Sequence, residues 1–156
     1  MHKYGHYGAA LLAYTPPGAV LLALGRPELA GAAAVAMLAG AMLPDWDQRV
    51  PLLSHRGFTH TVWFGILLGA AAASVVLPMA GEGPALVAGI VGLLSVAAHI
   101  AADALTPMGV RPFWPVDSTS YSAKIVRADN RVANGALFAS GLLCTGLMVG
   151  LFGGVL

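Results

Sequence analysis

Charge is what this sequence most lacks. Eight lysines and arginines and seven acidic residues occur in 156 positions, 10% of the chain, where a soluble domain carries roughly 25%. So few charges cannot cover a water-soluble globule, and lipid is the natural solvent. The formal net charge of +1 says little about partners, and no direct nucleic-acid binding is expected. Cysteine is nearly absent. Cys144 alone, inside an apolar run, excludes an intrachain disulfide and a thiolate metal cluster. Neither Gly-x-Ser-x-Gly nor His-Glu-x-x-His occurs, so the motifs of a serine hydrolase and of a zinc peptidase are missing. The opening Met1-His2-Lys3-Tyr4-Gly5-His6 is too polar for the apolar region of a signal peptide, and the first span is expected to be retained.

Long apolar runs are what the sequence has instead. The chain is 58% hydrophobic with a mean hydropathy of +0.78. A hydrocarbon core of about 30 Å takes about 20 helical residues. Five stretches approach or meet that length, over 7–25, 29–44, 60–80, 84–106 and 133–156. The second is short. The first contains Pro16 and Pro17, which remove two backbone donors and are expected to kink or interrupt it. Gly65 with Gly69, and Gly146 with Gly150, provide the small-residue spacing that lets membrane helices approach closely. The expected fold class is all-α: one domain over 1–156, a polytopic membrane helix bundle with about five transmembrane spans and two long cytoplasmic loops, 45–59 and 107–132.

Five alternating crossings put the N-terminus and both long loops on one face. Seven of the eight cations then share it, and only Arg26 lies opposite. The positive-inside rule predicts that this face is cytoplasmic. The same alternation gathers chemistry. His6 opens the first span, Asp45 and Asp47 close the second, His55 and His60 precede the third, and His99 and Asp103 end the fourth. All seven are expected at one membrane face.

His99 and Asp103, four apart on a helix, lie on one stripe and can offer two ligands to one cation. Ionisable groups inside a span cost roughly 2.5–3.5 kcal/mol each, a cost that a bound metal offsets. The run His55-Arg56-Gly57-Phe58-Thr59-His60 places two histidines around an arginine able to grip phosphate or carboxylate bidentately. After Asp103, three prolines and a glycine make 104–115 a rigid loop. Phe113 and Trp114 suit the headgroup level, and the loop is expected to lid the site and position a lipid substrate. Residues 118–122 are polar and read as mobile. Imidazole and carboxylate ligands suit Zn²⁺, and also Mn²⁺ or Fe²⁺. Water activated by such an ion is a nucleophile near neutral pH, and neighbouring arginines favour a phosphoester over a peptide bond.

Three motifs in order, Leu43-Pro44-Asp45-x-Asp47, His55-Arg56-Gly57-x-Thr59-His60, and His99-x-x-x-Asp103-x-x-Thr106-x-x-Gly109 followed by Arg111-Pro112, resemble the YdjM-like family. Its members are described as membrane-bound, metal-dependent hydrolases and as LexA-binding inner-membrane proteins. More distantly, the order His, Asp, His, His-x-x-x-Asp is similar to part of the zinc-dependent phospholipase C and single-strand nuclease fold. That likeness implies Asp45, His60, His99 and Asp103 around one metal ion, with His6 and Asp103 helping to hold a second. No histidine follows His99 and no glutamate follows Glu82, so one or two ions are expected rather than three.

The expected activity is metal-dependent hydrolysis of a phosphoester, phospholipids included, at the cytoplasmic face of the cell membrane. Asp47, His55 and Arg56 are the candidate catalytic groups, with Asp47 and His55 open to roles as ligands, orienting groups or general base. Arg56, Arg111 and Trp114 are the candidate substrate contacts. The competing expectation is a non-enzymatic module whose structural metal staples the helices while its loops recruit a soluble regulatory protein.

Overall fold

The computed structural model describes residues 1–51 and 54–154. Five α-helices follow one another: α1 Lys3–Ala23, α2 Pro27–Gly40, α3 Val62–Ala80, α4 Glu82–Ala104 and α5 Arg131–Phe152. Two 3-10 turns, Pro44–Arg49 and Phe58–His60, lie in the connection between α2 and α3. No β-strand occurs among the described residues; one isolated antiparallel bridge joins Val110 to Tyr121. Among the described residues, four helical segments are long and apolar enough to cross a membrane: Pro27–Arg49, Val62–Ala80, Glu82–Ala104 and Arg131–Phe152. The chain is thus an all-helical membrane protein. The helix expected over 7–25 begins earlier, at Lys3. It is not among those four because Tyr4, His6, Tyr7, Tyr14 and Thr15 make it more polar. The end of the last expected span, 155–156, lies outside the described residues.

Local signals explain the helix ends. α1 closes in a Schellman turn: Gly25 N–H donates to Leu22 O and Arg26 N–H to Leu21 O, both at 2.9 Å, with Gly25 at φ +68°, where a side chain would be strained. Pro27 then occupies the first turn of α2, where its missing N–H costs nothing. Gly81, at φ +83°, ends α3 and leads directly into α4. Thr61 and Asn130 cap α3 and α5 by accepting from Phe64 N–H and Ala133 N–H, as short polar side chains do at helix starts. Pro16 and Pro17 do not interrupt α1, which is one continuous helix. The prolines sit beyond its middle, in a segment where Tyr14 and Gly18 are packed against neighbours, and tertiary packing holds the helix through the lost hydrogen bonds.

Helices α1, α2 and α4 form the centre. Tyr14, Ala10, Met37, Ala33, Val91 and Ala98 make its apolar core, and the Tyr14 hydroxyl donates to Ala30 O at 2.6 Å, so a buried polar group is satisfied across α1 and α2. α3 packs on α4, and α5 packs on α1. Within α3 only Gly65 and Gly69 are buried. A Cβ on Gly69 would come within 2.6 Å of Gly89 O, so these glycines set the distance between the two backbones. α5 buries a seven-residue repeat, Asn134, Gly141 and Met148. There a Cβ on Gly141 would meet Gly8 O at 2.7 Å. Gly146 has open space around it; the approach of α5 to α1 runs through Gly141 instead.

This arrangement decides which ends meet. His2 N–H donates to Asn134 Oδ1 at 3.1 Å, while Gly18 lies against Met148, so α1 and α5 run in the same direction. α2 returns from α1, and α3 and α4 form a hairpin through Gly81. The start of α1, the end of α2, the start of α3, the end of α4 and the start of α5 therefore share one end of the bundle.

Candidate metal centre

Four groups from three segments converge at that end. Asp45 comes from the 3-10 turn after α2, His60 from the one before α3, and His99 and Asp103 from the last turns of α4. One ligand atom from each lies within 4.8 Å of the others. His60 Nε2 is 3.5 Å from Asp45 Oδ1 and 3.6 Å from Asp103 Oδ2. His99 Nε2 is 3.6 and 3.8 Å from the same two oxygens. The two Nε2 atoms are 3.1 Å apart. His60, His99 and Asp103 are buried; Asp45 is 15% exposed.

Hydrogen bonds on the far side of each ring explain what the centre needs. His99 Nδ1 lies 2.7 Å from Ala41 O. A carbonyl only accepts, so the proton is on Nδ1 and Nε2 carries a lone pair. His60 Nδ1 lies 3.3 Å from Asp47 Oδ2 and 3.1 Å from Thr59 Oγ1. The Thr59 hydroxyl itself donates to Asp47 Oδ2 at 3.1 Å, so both neighbours are placed to accept from His60 Nδ1–H. Burial lowers the His60 pKa below its ordinary value, outweighing the neighbouring carboxylates, and keeps the ring neutral. Two imidazole lone pairs and two carboxylate oxygens thus face one another, and none of the four can donate. A single proton serves two such acceptors; a divalent cation serves all four. The donor set fits a metal ion on this ground.

His6 joins the cluster from α1 without entering the quartet. Its ring stacks on His99 at 3.7 Å and 4°. His6 Nε2 is 3.9 Å from Asp45 Oδ2 and 3.6 Å from Asp103 Oδ1, the carboxylate oxygens facing away from the quartet, and 3.0 Å from Met1 O. Its Nδ1 is buried without a partner. Asp103 Oδ1 also receives the Met1 amino group.

Asp47 is a hub. It is buried, and its Oδ2 accepts from Arg56 N–H at 2.9 Å and from Thr59 Oγ1. Its Oδ1 lies 3.1 Å from Nδ1 of His55, a ring that is 39% exposed. Asp47, His55 and His60 also lie close enough to hold an ion, but here donors already face the carboxylate. Asp47 therefore orients His60 toward the quartet and His55 toward solvent.

Arg56, expected to grip phosphate or carboxylate with two nitrogens, holds a carboxylate of its own chain through one. It sits at φ +59°, outside the usual range for a non-glycine residue, and its guanidinium turns inward. Nη2 donates to Asp103 Oδ1 at 2.9 Å, and Nη1 donates to Gly109 O at 2.7 Å and Thr106 Oγ1 at 3.3 Å. Only Nε is left without a partner, and it is buried. Nor does the structure support mobility of residues 118–122. Tyr121 exchanges both backbone hydrogen bonds with Val110, Ala123 N–H donates to Ala104 O, and Ser122 Oγ donates to Thr106 O at 2.7 Å.

Two cavities flank the centre. One, of about 620 Å³, is lined by all three expected substrate contacts, Arg56, Arg111 and Trp114, together with His55. The other, of about 750 Å³, reaches Asp45 and is bordered by Lys3 and Arg49. Beyond the expected residues, Thr59 and Thr106 hydrogen-bond to groups of the site, and Lys3 and Arg49 border the second cavity. Thr59 and Thr106 stand inside the motifs, and that was their only signal. For Lys3 and Arg49 the sequence carried none beyond their membrane face.

No curated protein and no solved structure matches this chain. The match that covers nearly its whole length, residues 2–154, is to the YdjM inner membrane protein family, and the chain belongs to that family.

Proposed function

We propose that this protein is a membrane-embedded, metal-dependent hydrolase acting on phosphoesters. The observation that carries the reading is the convergence of four acceptors, Asp45, His60, His99 and Asp103, with no donor among them. Zinc suits this nitrogen and oxygen set, with manganese or iron(II) next. A divalent ion held there supplies Lewis acidity and brings the pKa of water toward neutrality. The reading rests on one ion at the quartet: His6 Nε2 faces the outer oxygens of both aspartates but lies 3.0 Å from Met1 O, which accepts its proton.

The chain's own residues supply orientation and proton transfer. Asp47 holds His60 in the tautomer that points Nε2 inward, as an orienting carboxylate does for a metal-ligating histidine. The same carboxylate holds His55 by Nδ1. His55 Nε2 is then available to take or give a proton at the cavity, which makes His55 the general acid–base candidate. Arg56 neutralises part of the Asp103 charge and ties the 105–126 segment to the centre. The seven cations on the site's face support a cytoplasmic orientation by the positive-inside rule.

The test is turnover. Purified protein reconstituted with Zn²⁺ or Mn²⁺ is assayed on bis(p-nitrophenyl) phosphate and on a panel of natural phosphoesters, beside His99→Ala. Metal-dependent turnover that His99→Ala abolishes supports the reading. Stoichiometric metal with no turnover across the panel overturns it and leaves a structural metal in a module that recruits a soluble partner.

A further inference from the structure

The cavity of about 620 Å³ lies between residues 54–59 and residues 108–120. None of the four converging ligands lines it, and neither does any carboxylate. Two arginines do, and they differ. Arg111 makes no ion pair among the described residues. It follows Gly109, at φ +66°, and Val110, pinned to Tyr121, so the loop holds it at the wall. Arg56 is spent on Asp103, Thr106 and Gly109 through its terminal nitrogens, yet its side chain is only 9% exposed and its Nε–H has no acceptor. A buried cationic N–H without a partner is costly, because it has lost water and gained nothing. That Nε is closed off from the cavity as well as from solvent, so the arginine open to an anion there is Arg111, with the Arg56 charge behind the wall.

The rim is of another kind. Phe58, Met108 and Trp114 line the cavity and are 39%, 69% and 41% exposed. They stand at the end of the bundle where α3 begins, and Val62 N–H donates to Pro112 O at 2.9 Å to tie that start to the loop. Exposed aromatic residues at a helix end suit the level of lipid head groups. A cationic floor under an apolar rim matches a molecule with a phosphate at one end and an apolar part at the other.

We infer that this cavity binds the phosphate-bearing head group of an amphiphile, with Arg111 on the phosphate, the Arg56 charge behind the wall, and Trp114 and Phe58 against the first apolar carbons. Binding stands independently of the hydrolase reading. That the bound molecule is also the substrate rests on that reading.

The experiment uses the whole chain, stripped of metal with a chelator, in uncharged detergent, so that the centre contributes no Lewis acid. Dihexanoyl phosphatidic acid, dihexanoyl phosphatidylcholine and inorganic phosphate are titrated calorimetrically. The expected result is preference for the phosphatidic acid. Arg111→Ala weakens it at least about tenfold, Arg111→Lys recovers part of the loss, and Lys124→Ala, a cation of the same face outside the cavity, changes nothing. Trp114→Ala weakens the lipid and leaves phosphate unchanged. Equal affinity for phosphate and lipid, with no effect of Trp114→Ala, overturns the amphiphile and assigns a soluble phosphate ester. No anion binding, or binding indifferent to Arg111, overturns the site. Phosphoester turnover by the metal-loaded protein is read separately, so either conclusion can fail without the other.

Discussion

His60 and His99, 39 residues apart in the chain, hold their Nε2 atoms 3.1 Å from each other with no hydrogen available between them. The Ala41 carbonyl and the Asp47–Thr59 pair take the ring protons on the far sides. Elemental analysis of the purified protein should give about one divalent ion per chain, lost in the His99→Ala/Asp103→Ala double variant. At a hundredfold excess of free metal over its Kd, binding should stabilise the fold by about 2.7 kcal/mol, read as a lowered Tm on chelation. Equal metal content in parent and variant would disprove the centre.

Asp47→Asn tests the hub. The amide keeps the shape and loses the charge that fixes both histidines. Metal affinity should fall roughly 10–100-fold, the usual cost of removing an orienting carboxylate, measured by competition with a chelating dye. Unchanged affinity would mean that Thr59 alone orients His60.

His55→Gln separates binding from chemistry. His55 contacts Asp47, the edge of the His60 ring and the cavity, and is not one of the four converging ligands. Turnover should drop about 10²–10⁴-fold, the range for a lost acid–base group, while metal content and Tm stay at parent values. A loss of metal in this variant would instead place His55 among the ligands.

Gly8→Val and Gly69→Val probe the close helix approaches. Any Cβ on Gly8 overlaps the Leu137–Phe138 backbone, and one on Gly69 the Gly89 carbonyl. Overpacking costs typically about 1–3 kcal/mol, more here because backbone rather than side chain must move. Both variants should melt earlier than Gly146→Val, whose Cβ meets nothing among the described residues. Equal melting of all three would contradict the packing.

Much of the architecture was legible in the residues. Long apolar runs and scarce charge predict membrane helices, and the alternation of short and long connections predicts which helix ends meet. That topology alone brings His6, Asp45, His60, His99 and Asp103 to one place, and they are found together. Less legible was whatever depends on a partner distant in sequence. Asp45 and Asp47, two residues apart, are told apart in the sequence only by the family likeness, and Asp47 keeps several open roles there; in the fold it orients rings while Asp45 faces the centre, because a 3-10 turn points them in different directions. The continuity of α1 through Pro16 and Pro17 was hidden for the same reason, since neighbouring helices rather than local propensity hold it.

What the sequence by itself determined is thus the solvent, the helical class, the spacing of the ligands along each helix and the face that gathers them. These follow from hydropathy and from a period of 3.6 residues, both local. What only the tertiary structure decided is which nitrogen of each histidine is free, where the Arg56 guanidinium is spent, and that Arg111 and Trp114 border one cavity with it. Those outcomes are set by a carbonyl 58 residues from His99 and by a loop 53 residues from Arg56. A proton or a guanidinium settles on the acceptor nearest in space, and sequence spacing does not record that distance.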